Sequence, residues 1–451
     1  MKPKHLKPPT IFHLTNQLNA VRYKFRAGSI VSVGDTTVAV SGISDAVGLG
    51  DRVEIHSQTG VTMQGEVLGI EPETVEVLTM EPPTGLFLAD TVCVLGPPMV
   101  APDPIWVGRV LDPDMKPLDG LPLFPGFDPV SPFAKPPPPG LRRGFGARVD
   151  TGNAVFNTLL PLVRGQRIGL FAGSGVGKST LLGQLARSIE ADVIVIALIG
   201  ERGRELRHFV EKVLGDDGMK RAIVVAATSD QSPLQRRNCA HTAMSVAEYF
   251  RDRGQHVLFI ADSITRFAEA HRDVAFAAGE RAGPGGFPSS MPHQIMGLAE
   301  RAGPGVPGTG DITAIFSVLV AGSDMEGPVA DTLRGVLDGH VVLDRKIAER
   351  GRYPAIDLLQ SVSRSLPDAA TEEENAMIAD ARRLLGAYDK AELMIQSGLY
   401  VRGADLVTDR AIQCWPALDR FLGNSAHLSV DGSFKLLADA LELPTAALAN
   451  P

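Results

Sequence analysis

From Gly28 to Leu95, apolar and polar positions alternate in short runs, SIVSV, TTVAVSGI, DRVEIHS, GEVLGIE, TVEVLTM and DTVCVLG, broken by Gly-Asp, Thr-Gly and Pro-Pro signals. Alternation over 4–8 residues predicts half-buried strands, and strands this closely spaced predict a small closed β-barrel over 27–96. Between 97 and 145 the pattern disappears into PP, PDP, DPD, FPGFDP and PPPP. Proline fixes φ and removes a donor, so this connector is expected to run as turns and extended segments without regular strands or helices. From 146 to 365 the apolar runs become continuous, GLFA, VIVIALIG, AIVVAAT, VLFIAD and ITAIFSVLV, and alternate with amphipathic stretches of helical length. That pattern predicts an α/β domain around a parallel sheet buried on both faces.

Beyond Ser365 no buried strand run appears; TEEENAMIADARRLLGAYDKAELMI, the segment around Ala411 and FKLLADALEL carry helical spacing, with Thr371 placed as a cap before an acidic first turn. Residues 366–451 are therefore expected to form a helical domain. Residues 1–26 are a basic tail followed by Ile11, Leu14, Leu18 and Val21 at spacing that suits a short amphipathic helix, though a solvated terminus is the simpler reading. ERAGPG occurs at Glu280–Gly285 and again at Glu300–Gly305, which predicts two Gly-Pro turns inside the α/β domain rather than a solenoid.

Composition narrows the classes. No apolar run approaches the ~20 residues that span a bilayer, and no cleavable apolar segment follows MKPKHLKPP, so a secreted or integral membrane protein is not expected. Cys93, Cys239 and Cys414 lack metal-ligand spacing and are odd in number, which argues against a disulfide framework or zinc site and for a reducing, cytoplasmic compartment. The net charge of -8 argues against bulk nucleic-acid binding.

The chemistry concentrates at residues 172–180, Ala172, Gly173, Ser174, Gly175, Val176, Gly177, Lys178, Ser179 and Thr180, between the strand RIGLF and the amphipathic TLLGQLARSIE. This is a phosphate-binding loop with Ala in place of the first glycine, in its strand–loop–helix context. Glycines let successive backbone N–H groups face phosphate oxygens, Lys178 is placed for the β and γ phosphates, and Ser179 for Mg²⁺. Asp262, closing the buried run VLFIAD, is the expected second metal ligand, and Arg266 follows four residues on. Glu201 and Arg202 follow VIVIALIG at a strand's C-terminal end, where doubly wound sheets form their ligand crevice. A carboxylate there can orient the attacking water, although an isolated Glu-Arg pair at a strand end is more often a surface salt bridge.

AGSGVGKST, IGERGRE, SPLQRR, VAEYFRD, VLFIADSITRFAEA and DGHVVLDRKIAERGRYPAIDLLQSVSRS, in this order, resemble the flagellar and type III secretion export ATPases, relatives of the rotary ATPase catalytic subunits. The resemblance implies a RecA-like central domain that hydrolyses ATP with Mg²⁺. It also implies roles by position. Glu201 matches the catalytic glutamate, Arg202 and Arg266 match arginines near the phosphates, Tyr353 the aromatic packed on adenine, and Arg364 a finger reaching a neighbouring subunit's nucleotide. On their own chemistry Tyr353 reads as a half-buried core residue and Arg364 as a surface arginine.

A finger acting in trans implies an oligomer, and a chain carrying both Glu201 and Arg364 suits a homohexamer. The resemblance further implies a stator-type regulator at the N-terminal segment, a central stalk protein, chaperone–substrate complexes at the helical domain, an export gate, and a peripheral position at the cytoplasmic face of the inner membrane. Two segments depart from the family pattern: TGNAVFN at Thr151–Asn157 has Asn where Asp is usual, and GERAGPGGFPSS replaces a GEPP-type loop. Flagellar export is the leading reading, with a virulence-type secretion ATPase as its alternative. An RNA-dependent hexameric helicase would need aromatic and basic residues on the barrel, which offers Phe87 and Arg52. A nonhydrolysing ring subunit is opposed by Glu201.

Overall fold

A computed structural model describes residues 25–320, 325–424, 426 and 428–443. The proposed amphipathic stretch with Ile11, Leu14, Leu18 and Val21, and Lys2, Lys4 and Lys7 before it, lie outside the described residues.

Six strands, β1 (Ala27–Val33), β2 (Thr37–Ser41), β3 (Arg52–His56), β4 (Thr62–Ile70), β5 (Thr74–Thr79) and β6 (Thr91–Gly96), close into a barrel in the order β1-β2-β5-β4-β3-β6. Every pairing is antiparallel. The alternation read in the sequence turns Ile30, Val38, Val40, Val53, Ile55, Val75, Val77 and Val92 inward, and closure leaves no unpaired edge. Glu66 of β4, almost wholly buried, pairs with Arg237 of the central domain, and Arg52 of β3 lies 3.1 Å from Asp114 of the connector.

The connector corrects one expectation. It does contain a strand, β7 (Val110–Leu111), between a 3₁₀ turn at Pro104–Trp106 and the turn begun by Asp112. Two consecutive apolar residues free of proline suffice to pair in parallel with an edge of the central sheet, and Arg109, buried against Asp119 at 2.6 Å, anchors the approach.

The central sheet contains β8 (Arg167–Ala172), β9 (Val193–Glu201), β10 (Ala222–Thr228), β11 (His256–Asp262), β12 (Gly303–Pro304), β13 (Asp311–Leu319), β14 (Gly339–Leu343) and β15 (Ile356–Ser363), besides β7. Its order is β15-β14-β8-β13-β11-β9-β10-β7, with β12 pairing beside β13. β14 through β7 run parallel. Four neighbouring strands, β8, β13, β11 and β9, thus bring their C-terminal ends to one crevice.

Helices Glu372–Gln396, Leu406–Leu422 and Val430–Ala440 follow. Thr371 caps the first of them as expected, in a reciprocal capping box with Glu374. Leu384, Leu385, Leu418, Phe421, Phe434 and Leu437 share one buried cluster with Phe156, Leu159, Ile168 and Leu358, so the helical region docks on the core of the α/β domain. Among the described residues no helix is long and apolar enough to cross a membrane.

Candidate active site

The loop after β8 turns through Gly175 at φ 78° and Gly177 at φ 90°, a region closed to most side chains. Gly177 also caps helix Lys178–Ser188 without a side-chain acceptor. The first N–H groups of the helix are consequently available to an anion. Ser174, Gly175, Ser179 and Thr180 face solvent, whereas Ala172 and Val176 are buried and fix the two ends of the loop.

Three ionisable groups meet in front of this loop. The Lys178 ammonium donates to Asp262 Oδ1 and stands 4.0 Å from Glu201 Oε1. Asp262, at the end of β11, is 2% exposed, and its Oδ1 also accepts from Ser317 Oγ at 2.5 Å. Glu201 closes β9 after a bulge: Ile199 pairs with Ala227 and Glu201 with Thr228, leaving Gly200 between them at φ 69°. A Cβ at Gly200 would lie 3.2 Å from Arg266 Cβ, so the glycine serves both the turn and the close approach of that arginine. Burial first, and then the Asp262 charge and the Glu205 carboxyl that hydrogen-bonds to it, push Glu201 up to about 7.

The remaining sequence-derived positions are more dispersed. Tyr353 is half exposed, with Cδ1 3.3 Å from where a Cβ on Gly177 would sit, so its ring flanks the phosphate loop. Arg202 points outward toward Glu205 at 3.6 Å, with its side chain 73% exposed. The Arg266 guanidinium binds Glu269 at 2.8 Å. Arg364 stands apart. Its backbone N–H donates to Asp338 O, whose own N–H donates to Arg167 O, and its side chain reaches the Arg334 carbonyl at 3.3 Å. Arg167 opens β8 and the phosphate loop follows the other end of that strand, about 16 Å away at ~3.3 Å per residue.

Sequence reasoning missed Ser317 and Glu205. The signal for the first was a lone serine near the end of the apolar run ITAIFSVLV, and for the second a carboxylate in the first turn of the helix that follows Glu201.

The donor set suits Mg²⁺: a buried carboxylate, Asp262, and a hydroxyl in the first turn after the loop, Ser179, would supply the few oxygens this ion takes from protein when phosphates complete its shell. The resting place of the Lys178 ammonium on Asp262 marks the same spot as one that attracts a cation.

Residues 152–363 match the model of the ATP synthase alpha/beta family, nucleotide-binding domain, and 370–438 that of the T3SS EscN ATPase C-terminal domain. The flagellum-specific ATP synthase of Caulobacter vibrioides is 41% identical over 424 residues, 92% of this chain and 96% of its own. The chain belongs to the family of flagellar and type 3 secretion ATPases. The type 3 secretion system ATPase of Xanthomonas euvesicatoria is 40% identical, over 91% of this chain and 92% of its own. Among solved structures, the assembled ATPase EscN of the enteropathogenic E. coli type III secretion system superposes with a TM-score of 0.86 at 35% identity, covering 92% of this chain and 100% of that one. EscN in complex with its central stalk EscO gives 0.83 at the same identity and coverage. The barrel, the parallel nucleotide-binding sheet and the C-terminal helices are thus those of an export ATPase, and the enzyme hydrolyses ATP.

Proposed function

We propose that this chain forms a homohexameric ring that hydrolyses Mg²⁺-ATP to release proteins from their chaperones and deliver them to a flagellar export gate. The observation that carries the ring is the separation of Arg364 from its own phosphate loop. It lies beside the start of β8 and the loop follows the end, so the strand intervenes and the guanidinium faces outward. A finger so placed completes a site on a neighbouring copy, where a trans arginine typically contributes ~10³–10⁵ in rate.

Within one subunit the backbone N–H groups of Gly173–Gly177 cradle the phosphates, and Lys178 leaves Asp262 for the β and γ oxygens. Tyr353 lines the base end. Asp262 and Ser179 would hold Mg²⁺, whose positive charge would offset the negative charge of the phosphates. Ionised Glu201 accepts a hydrogen bond from the attacking water and orients it in line. Arg266, whose stem packs against Gly200, lies beside the same crevice; Arg202 points outward beside Glu205. We divide the chain at 27–96, 97–145, 146–365 and 366–451, with the connector lending β7 to the central sheet.

By analogy with EscN bound to its stalk, a central stalk protein is expected inside the ring, with a stator-type regulator at residues 1–26 and a peripheral position at the cytoplasmic face of the inner membrane. Flagellar rather than virulence-type export rests on relatives such as the Caulobacter protein; loss of motility on deletion, restored by wild type and not by Glu201→Gln, is the test. For the chemistry, Glu201→Gln is expected to bind ATP as wild type does and to lose turnover, and equal rates would remove Glu201 from catalysis.

A further inference from the structure

We propose that Ser317 is a positioning residue for Asp262: its hydroxyl holds the carboxylate in its metal-binding orientation once Lys178 has left it for the phosphates. This rests on the assignment of Asp262 to Mg²⁺ above. Two donors, the Lys178 ammonium and the Ser317 hydroxyl, converge on the same oxygen, Oδ1. They differ in mobility. Lys178 sits on a long flexible stem at a helix N-terminus and has an alternative partner when ATP binds. Ser317 is fully buried on β13, the strand between the phosphate-loop strand and the Asp262 strand, paired with Leu170 on one side and next to the Phe316–Ala261 pair on the other.

The hydrogen bond has one sense: an ionised carboxylate only accepts, so the serine proton points at Oδ1. When Lys178 moves, the serine remains on that oxygen and holds the plane of the carboxylate. Without the hydroxyl, a carboxylate on a two-torsion side chain would lose its orientation at the step where orientation matters. Groups that orient a metal ligand typically contribute 10–100-fold in metal affinity or activity.

The test compares Ser317→Ala, Ser317→Thr and Ser317→Val; threonine keeps the hydroxyl, and valine has the shape of threonine without it. Two readouts are taken: binding of a fluorescent ADP analogue with and without Mg²⁺, and the Mg²⁺ concentration that half-saturates turnover. Ser317→Ala is expected to keep metal-free nucleotide affinity, to lose about tenfold in the gain that Mg²⁺ brings, and to need about tenfold more Mg²⁺. Threonine restores both and valine does not. The proposal is overturned by wild-type Mg²⁺ dependence in Ser317→Ala, by an equal loss of metal-free affinity, or by valine matching threonine. Should threonine prove too large for the strand, alanine, which only removes an atom, decides through the metal-free comparison. Asp262→Asn runs in parallel. If it leaves the Mg²⁺ response unchanged, the metal assignment itself fails; if it abolishes the response while Ser317→Ala keeps it, only the role of Ser317 falls.

Discussion

Lys178 Nζ stands 4.0 Å from Glu201 Oε1, yet this cation does not hold the glutamate in the ordinary carboxylate range. Burial and the Asp262 charge outweigh it and raise the carboxyl to about 7. Water orientation requires the ionised form, so kcat/KM is expected to rise with pH through an acid limb near 7, where the free enzyme loses that proton. Glu205 contributes to the rise by hydrogen bond and by charge. Replacing it in Glu205→Gln should move the limb toward lower pH; an unchanged limb would assign it to another group.

The same raised carboxyl has a stability sign. A carboxyl whose folded pKa lies above its unfolded value of 4.5 favours the folded state while protonated, and that advantage disappears as pH rises from 4.5 through about 7. Above 7 the folded protein carries an ionised carboxylate beside Asp262, at a cost on the order of 2–3 kcal/mol. Glu201→Gln removes that cost. Thermal unfolding of the nucleotide-free enzyme should show a Tm gain of a few degrees at pH 8 and a much smaller one at pH 5. A gain independent of pH would show that ionisation of Glu201 is not its source.

Asn157 explains how this chain tolerates its departure in TGNAVFN. Its Oδ1 accepts from Thr151 N at 2.9 Å and Thr151 Oγ1 at 2.7 Å, while Nδ2 donates to Leu428 O at 2.8 Å, Ser433 Oγ at 3.3 Å and Asp150 Oδ1 at 3.1 Å. The amide thus ties the segment before the phosphate strand to the last helix. Asn157→Asp, the residue the family pattern would supply, turns a donor into a buried charge facing a carbonyl and the Asp150 carboxylate. A loss of about 2–4 kcal/mol is expected, read as a lower Tm and faster amide exchange in Val430–Ala440. Asp150→Asn in the same chain should recover part of it.

The parts of this molecule legible in sequence were those encoded by local pattern. The barrel followed from alternation with period two, the parallel sheet from continuous apolar runs, and the phosphate loop from glycines placed between a strand and a helix. The positions of Asp262 and Glu201 at strand ends were legible because a charge that closes an apolar run is a strong local contrast. Ser317 and Glu205 were not, since their roles depend on which strands lie side by side: β13 enters the sheet between β8 and β11, although it follows both in the chain. The strand at Val110–Leu111 was hidden for the same reason. Its two residues carry no periodicity, and only the open edge beside β10 makes them a strand.

Arg364 supplies the most direct test of the ring. Arg364→Ala should keep nucleotide binding and lose most turnover, because the subunit's own site is built but the group spreading charge over its neighbour's γ-phosphoryl is gone. Lys178→Ala should fail for the opposite reason, with an intact finger and a phosphate loop that no longer grips. Mixed rings separate cis from trans. Where an Arg364→Ala subunit receives a finger from a Lys178→Ala neighbour, one complete site results, so the mixture should exceed both parents and should do so most near equal proportions. If the finger served its own loop, every site in the mixture would carry one defect and no ratio would restore activity. Specific activity of the wild type should also climb with protein concentration until the ring is saturated, since a lone subunit keeps Arg364 about 16 Å of strand away from its own phosphates.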